Sequence, residues 1–260
     1  MRVIPRSLSN RCLFNSALLA IFLLPPSMVA QAPRLEQREL LRKIKASYYS
    51  VRAPGVKGFQ CIAAPAWKSD ETISNDQALL KQVETIVYSL TVDFGAPPEF
   101  VTITPVRPDG AQTDQRGDKA IQAYGHITSG FFQLWLTISA GFIPDDLSGG
   151  HFRITQKPDH TYLLSSAYGD LELDADYVLR KMSIIRPAGT YVMIPTFIKV
   201  AGGRLLVAEF ELSGNNFPKT QISMQYEDTQ GLKLPNKMVI TSSRGWSDKQ
   251  EIKFKECHVN

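Results

Sequence analysis

The side chains of this chain with the clearest chemical potential are four acids on one short stretch. Asp170, Glu172, Asp174 and Asp176 alternate with Leu171, Leu173, Ala175 and Tyr177, a period of two that places the acids on one face of a strand. Carboxylate oxygens in number suit Ca²⁺. Residues two apart on a strand, however, are separated by about 7 Å, too far for four of them to converge on one ion. The ladder therefore reads as a solvated outer face, with the apolar partners turned inward. His126, His151, His160 and His258 are scattered, with no pair at the i,i+4 spacing of a helical metal site. His126 and Ser129 are three apart and so neighbours on a helix, a geometry open to a Ser–His pair. No Gly-x-Ser-x-Gly turn accompanies them, and no acid lies nearby in sequence to orient the imidazole. Gly149-Gly150 and Gly202-Gly203 read as turns, since no helix start follows either. The expectation is a non-enzymatic protein with no catalytic set, metal set or cofactor.

Two further cysteines follow Cys12, namely Cys61 and Cys257. Their chemistry depends on the compartment. Arg2, Arg6 and Arg11 make a basic start, Leu13 to Leu24 is an apolar core, and small residues end it at Ala30. That is the pattern of a Sec-type secretory signal peptide over residues 1–30, which places the mature chain in the periplasm or outside the cell. An exported cysteine pair is ordinarily bridged, with two buried thiols the alternative. A Cys61–Cys257 bridge would close nearly the whole chain.

Three of the 29 Lys and Arg lie in the leader, leaving 26 against 25 acids. A near-neutral mature chain argues against nucleic acid as a partner. Residues 31–260 are enough for one domain with a sizeable core.

The element that must organise that core is Asp118 to Ile143. Ile121, Tyr124, Ile127, Phe131, Leu134, Trp135 and Ile138 follow the three-and-four spacing of one helical face. Phe132, Leu136 and Phe142 widen the stripe. His126, Ser129, Gln133, Thr137 and Ser139 interrupt it, so no run of about 18 apolar residues suits a membrane span. A buried helix is expected.

Around it the pattern is mostly strand. Leu35 to Tyr49 reads as a helix with a narrow face of Leu41, Ile44 and Tyr48. Gly58 to Ala63 is a first strand. Asn75 or Asp76 caps a short helix through Leu79, Leu80 and Val83. Ile86, Tyr88, Leu90, Val92 and Phe94 alternate as a strand, Gly95-Ala-Pro-Pro98 turns, and Phe100 to Thr104 runs back. From Gly150 strand follows strand with short connections, an antiparallel meander. Leu206, Ala208, Phe210 and Leu212 share one face of one strand, and Ile222, Met224 and Tyr226 one face of the next. The expected fold class is α+β: a curved antiparallel sheet, an unclosed β-barrel, around the central apolar helix.

Helix, strand, helix, strands, helix and then a long meander is an order that resembles the LolA-like group of periplasmic lipoprotein-sorting carriers. The segment Thr220-Gln-Ile-Ser-Met-Gln-Tyr-Glu-Asp-Thr-Gln-Gly-Leu-Lys-Leu-Pro-Asn-Lys-Met-Val-Ile240 is similar to that group's strand, acidic turn, Gly-Leu-x-Leu-Pro, strand signature. So is the N-terminal helix running into Gly58-Phe59-Gln60. The resemblance implies a half-barrel with helices as a lid and an apolar cavity that receives acyl chains. The partner expected is a lipid or the acyl chain of a lipoprotein, with an envelope protein as a further partner and no transmembrane segment in the mature chain. The candidate ligand-binding residues are Phe131, Leu134, Trp135 and Ile138 on the helix, facing Leu206, Phe210, Ile222 and Met224 on the sheet. A secreted hydrolase using His126 and Ser129, or a structural envelope protein with a filled interior, are the rival readings.

Overall fold

The computed structural model describes residues 31–260 except 96–100, 140–151, 168, 187–188, 215–216 and 244–248. The leader, the end of the expected central helix at 140–143, the turn at Pro97-Pro98 and the Gly149-Gly150 turn lie outside the described residues. Residues 38–260 form one compact unit.

Helix α1 (Gln31–Ala46) leads into strand β1 (Gly58–Pro65). Two short helices follow, α2 (Glu71–Ser74) and α3 (Gln77–Val83). Both start on an aspartate. The Asp70 carboxylate accepts from the backbone N–H groups of Thr72 and Ile73, and the Asp76 carboxylate from that of Leu79. The α2 turn was not expected from the sequence. Strands β2 (Val87–Asp93) and β3 (Val101–Val106) then form a hairpin, with Tyr88, Leu90 and Val92 buried as their alternation requires.

Helix α4 (Gln115–Ser139) is the longest. Asp114 caps it, accepting from the backbone N–H groups of Arg116 at 2.8 Å and Gly117 at 2.9 Å. The Gly117 bond is the largest of the causes that hold the Asp114 carboxyl below its ordinary range. The helix starts three residues before the expected Asp118, because the cap and not the first apolar residue sets its origin.

Nine strands complete the chain: β4 (Phe152–Gln156), β5 (Tyr162–Ser166), β6 (Gly169–Leu173), β7 (Leu179–Arg186), β8 (Gly189–Lys199), β9 (Leu205–Gly214), β10 (Phe217–Thr229), β11 (Leu232–Ser242) and β12 (Lys249–Val259). Among the described residues all twelve strands form one open antiparallel sheet in the order β3-β2-β1-β12-β11-β10-β9-β8-β7-β6-β5-β4. Each neighbour is consecutive in sequence except β1 and β12. The α+β class and the open, unclosed sheet agree with expectation.

Two local expectations are corrected. The strand expected over Asp170–Leu179 breaks after Leu173. The Asp174 side chain accepts from the backbone N–H groups of Asp176 and Val178 and pairs with Arg180, which turns the chain. Ala175 is therefore exposed, and Tyr177 takes left-handed backbone at φ 65°. The Tyr48 hydroxyl holds this turn, donating to the Tyr177 carbonyl and accepting from the Leu179 N–H, each at 2.7 Å. On β9 the register with β8 slips between Thr196 and Phe197, so Leu206 and Val207 are both buried and Ala208 is not.

Helix α4 is tied to the rest by buried hydroxyls. Tyr88 donates to the Ile121 carbonyl and Tyr124 to the Asp70 carboxylate, both at 2.7 Å. Burial, and then the Asp70 contact, push the Tyr124 hydroxyl far above its ordinary pKa. Tyr124→Phe removes the tyrosine hydroxyl that donates to the buried Asp70 carboxylate. It should cost about 1–3 kcal/mol in chemical denaturation, and an unchanged midpoint would refute the tie.

A disulfide joins Cys61 on β1 to Cys257 on β12, with the Cα atoms 4.2 Å apart. It locks the one non-consecutive strand pair. The chain-entropy account of so long a loop allows about 5 kcal/mol as an upper value. Peptide mapping without reduction should recover the linked pair, and reduction should lower the melting temperature. Free alkylation of both thiols in exported protein would contradict the bridge.

Candidate functional site

Alternation turns one side chain in two to the inner face of the sheet, and that face is apolar. Near β1, β9 and β12 it is filled by aromatic packing from α4. Phe131 stacks on Phe210 of β9 at 6.4 Å and on Phe254 of β12 at 6.5 Å. Phe132 meets Phe254 edge-on at 4.9 Å, and Phe59 packs against Phe132 and Trp135 at 6.2 Å each. Such edge-to-face and offset contacts add to the burial they accompany. Trp135 is fully buried, and its Nε1 donates to the Tyr226 hydroxyl at 2.9 Å. That hydroxyl donates on to the Val207 carbonyl and lies 3.4 Å from Met224 Sδ. Burial raises the Tyr226 hydroxyl well above its ordinary pKa.

The eight candidate ligand-binding residues are thus in one core. Phe131, Trp135, Ile138, Leu206, Phe210, Ile222 and Met224 are buried, and Leu134 is half-buried against them. The structure brings Phe131 onto Phe210 directly, and Trp135 near Met224 through Tyr226. At these points helix and sheet touch.

Away from that contact a second set emerges that the sequence reading did not single out. Ile154, Leu164, Leu171, Met182, Met193 and Leu212 are successive cross-strand partners from β4 to β9. They make one apolar row across six strands. The chain has six methionines, and the four after residue 30 are all buried on the inner face. They form two cross-strand pairs, Met182–Met193 and Met224–Met238. Thioether side chains adapt their shape to what they contact. The alternation of Leu171 and Leu173 pointed to an inner face here, but the row depends on register across five hairpins.

At one end of the sheet the segment 47–51 acts as a strap. Tyr49 N–H donates to the Leu205 carbonyl and Leu205 N–H to the Ser47 carbonyl, both at 2.8 Å. The Tyr49 hydroxyl accepts from Lys233 N–H at 2.7 Å, and Val51 N–H donates to the Ser139 carbonyl at 3.0 Å. Tyr177 and Tyr162 pack at 5.5 Å beside it, both half-buried.

The chain matches no family model. No curated protein matches it either. Among solved structures, a LolA superfamily protein from Nitrosomonas europaea is similar over 86% of this chain and 93% of its own, at 9% identity and a TM-score of 0.31. So loose a likeness carries no argument, and the functional reading rests on the geometry above.

The other candidate chemistry is dispersed. His126 is exposed on α4, and no hydrogen bond joins it to Ser129. Among the described residues no group of three or more His, Cys, Asp or Glu is placed to hold a metal ion. Glu172 pairs with Lys181 and Asp174 with Arg180, so two of the four ladder acids serve surface and turn. No helix among the described residues is long and apolar enough to cross a membrane.

Trp135→Phe keeps an aromatic ring at this buried site, though a smaller one, and leaves the Tyr226 hydroxyl without the indole N–H donor. A loss of about 1–2 kcal/mol is expected, against about 3–5 kcal/mol for Phe131→Ala. Comparable losses for the two would show that the hydrogen bond, not the packing, holds this contact.

Proposed function

We propose that the protein is an exported, non-catalytic carrier or binding protein for a lipid or an acylated partner such as a lipoprotein. The observation that carries this reading is the inner-face row Ile154, Leu164, Leu171, Met182, Met193 and Leu212. It is broad, uncharged and rich in thioether, on a sheet that does not close. An acyl chain has no polar groups to satisfy along its length, so a surface without donors or acceptors suits it. The resemblance of the β10–β11 hairpin to the carrier signature supports the same reading. So does a disulfide, the usual companion of export. The lipid would lie on the β4–β8 part of the inner face, with Phe210, Ile222 and Met224 at its border with the α4 contact, and Tyr162 and Tyr177 at its lip. Phe131, Leu134, Trp135 and Ile138 form the wall.

A second reading is favoured by one contact. Phe131 stacks directly on Phe210, which is how a structural protein with a filled interior would pack. Fatty-acid probes of increasing length separate the two. A carrier should bind a fluorescent acyl probe with an affinity that rises about four-fold per added methylene until the row is covered. Energy transfer from Trp135 should report the binding. Ile154→Glu, at a half-buried position on the edge strand, should weaken the longest probe most. An affinity flat with chain length, or absent throughout, would favour the filled interior.

A further inference from the structure

The outer face of β11 and β12 carries a charge arrangement that the fold does not need. Lys237 on β11 lies directly opposite Lys253 on β12. Like charges at such positions repel and weaken a strand pair. A single carboxylate stands between them, Glu251, 2.9 Å from Lys237 and 4.0 Å from Lys253. Lys249 and Lys255 extend the same face of β12, both exposed. The outward residues opposite this stretch are uncharged apart from Lys237: Val239 and Thr241 on β11, Ile62 and Ala64 on β1. Lys237 and Lys253 thus share one glutamate, with the exposed Lys255 beside them and Glu256 in the bulge beyond.

We infer that this face docks the protein on an anionic lipid surface. The proposal rests on the acyl-binding reading, since a lipid carrier must collect or deliver its cargo at such a surface. Three features favour that occupant. Lysines on a pleated face stand about 5 Å apart across strands and about 7 Å apart along them, a grid that cannot converge on one small anion but can meet many headgroups. The cations are all lysines, compact point charges suited to a diffuse anionic layer. The outer face is also polarised. Glu209 lies outward on β9 opposite Ser223, beside a Glu211–Lys219 pair at 2.7 Å, so a negative surface is drawn to the β11–β12 side and away from Glu209.

The test is co-sedimentation of the purified protein with vesicles of phosphatidylglycerol and phosphatidylcholine, and with phosphatidylcholine alone. Wild type and variants are prepared identically. Binding should require the anionic lipid and be lost at an ionic strength where the Debye length is about 3 Å. Lys253→Glu with Lys255→Glu should weaken it about twenty-fold or more. Glu251→Gln should strengthen vesicle binding while lowering the melting temperature, because it removes the shared counter-charge. Equal binding to neutral vesicles, no binding at low salt, or a charge reversal without effect would overturn the docking surface. Capture of the wild type by an acidic protein but not by vesicles would overturn it as well. The acyl probe is measured on the same variants. Probe binding retained in the lysine variants confines a failure to the docking surface, and probe binding absent from the wild type refutes the carrier reading itself.

Discussion

The pairing of β1 with β12 is the constraint on which the rest of the sheet depends. Every other neighbour in the strand order is joined by a short connection or, for β2 and β1, by the small helices between them. Without the β1–β12 ladder the chain is two separate sheets, one of three strands and one of nine. Closing it brings together residues about two hundred positions apart, the step with the largest loop entropy in the fold. The Cys61–Cys257 bridge sits in that ladder, so the covalent link is placed where the non-covalent pairing is entropically most expensive.

The same pairing sets the task of α4. It puts β3 at one edge of the sheet and β4 at the other, although they are consecutive strands. Twelve strands laid flat span roughly 50 Å, and a helix of 25 residues covers about 37 Å of such a crossing. Helix α4 therefore runs along the inner face, and its sequence must be apolar on the side that meets the strands. This explains a stripe wider than an ordinary surface helix carries. Phe131 reaches β9 and β12, Trp135 reaches β10, and Tyr124 reaches the cap of α2.

What the sequence made legible was whatever depends on local period. Tyr88, Leu90 and Val92 announced β2 by alternation, and Phe131, Trp135 and Ile138 announced a buried face by helical spacing. All are buried. The cysteine pair pointed to a long-range contact because export makes bridging the rule. The reading failed where two signals overlapped. Asp170 to Tyr177 alternates without a flaw, yet Asp174 bonds its own backbone neighbours and ends the strand, a local competition that period alone cannot reveal. The β9 bulge was hidden for a related reason: Leu206 and Val207 are both apolar, and nothing in their order says that both turn inward. The row from Ile154 to Leu212 was illegible because each member needs the register of the strand before it.

The inner face is accordingly of two kinds. Around β1, β9 and β12 it is aromatic, with Phe59, Phe131, Phe132, Trp135, Phe210 and Phe254 in mutual ring contact. Rings have few rotatable bonds and lose little freedom on packing, so this half is a rigid support for the strand pairing that holds the sheet together. Around β5 to β8 it is aliphatic and thioether, with Leu164, Leu171, Met182 and Met193. Those side chains have more rotamers and can repack around a guest at small cost. The division is not complete, because the Met224–Met238 pair on β10 and β11 sits beside the rings. For the proposed carrier, a stiff half beside the disulfide would hold the sheet together while the compliant half repacks around cargo.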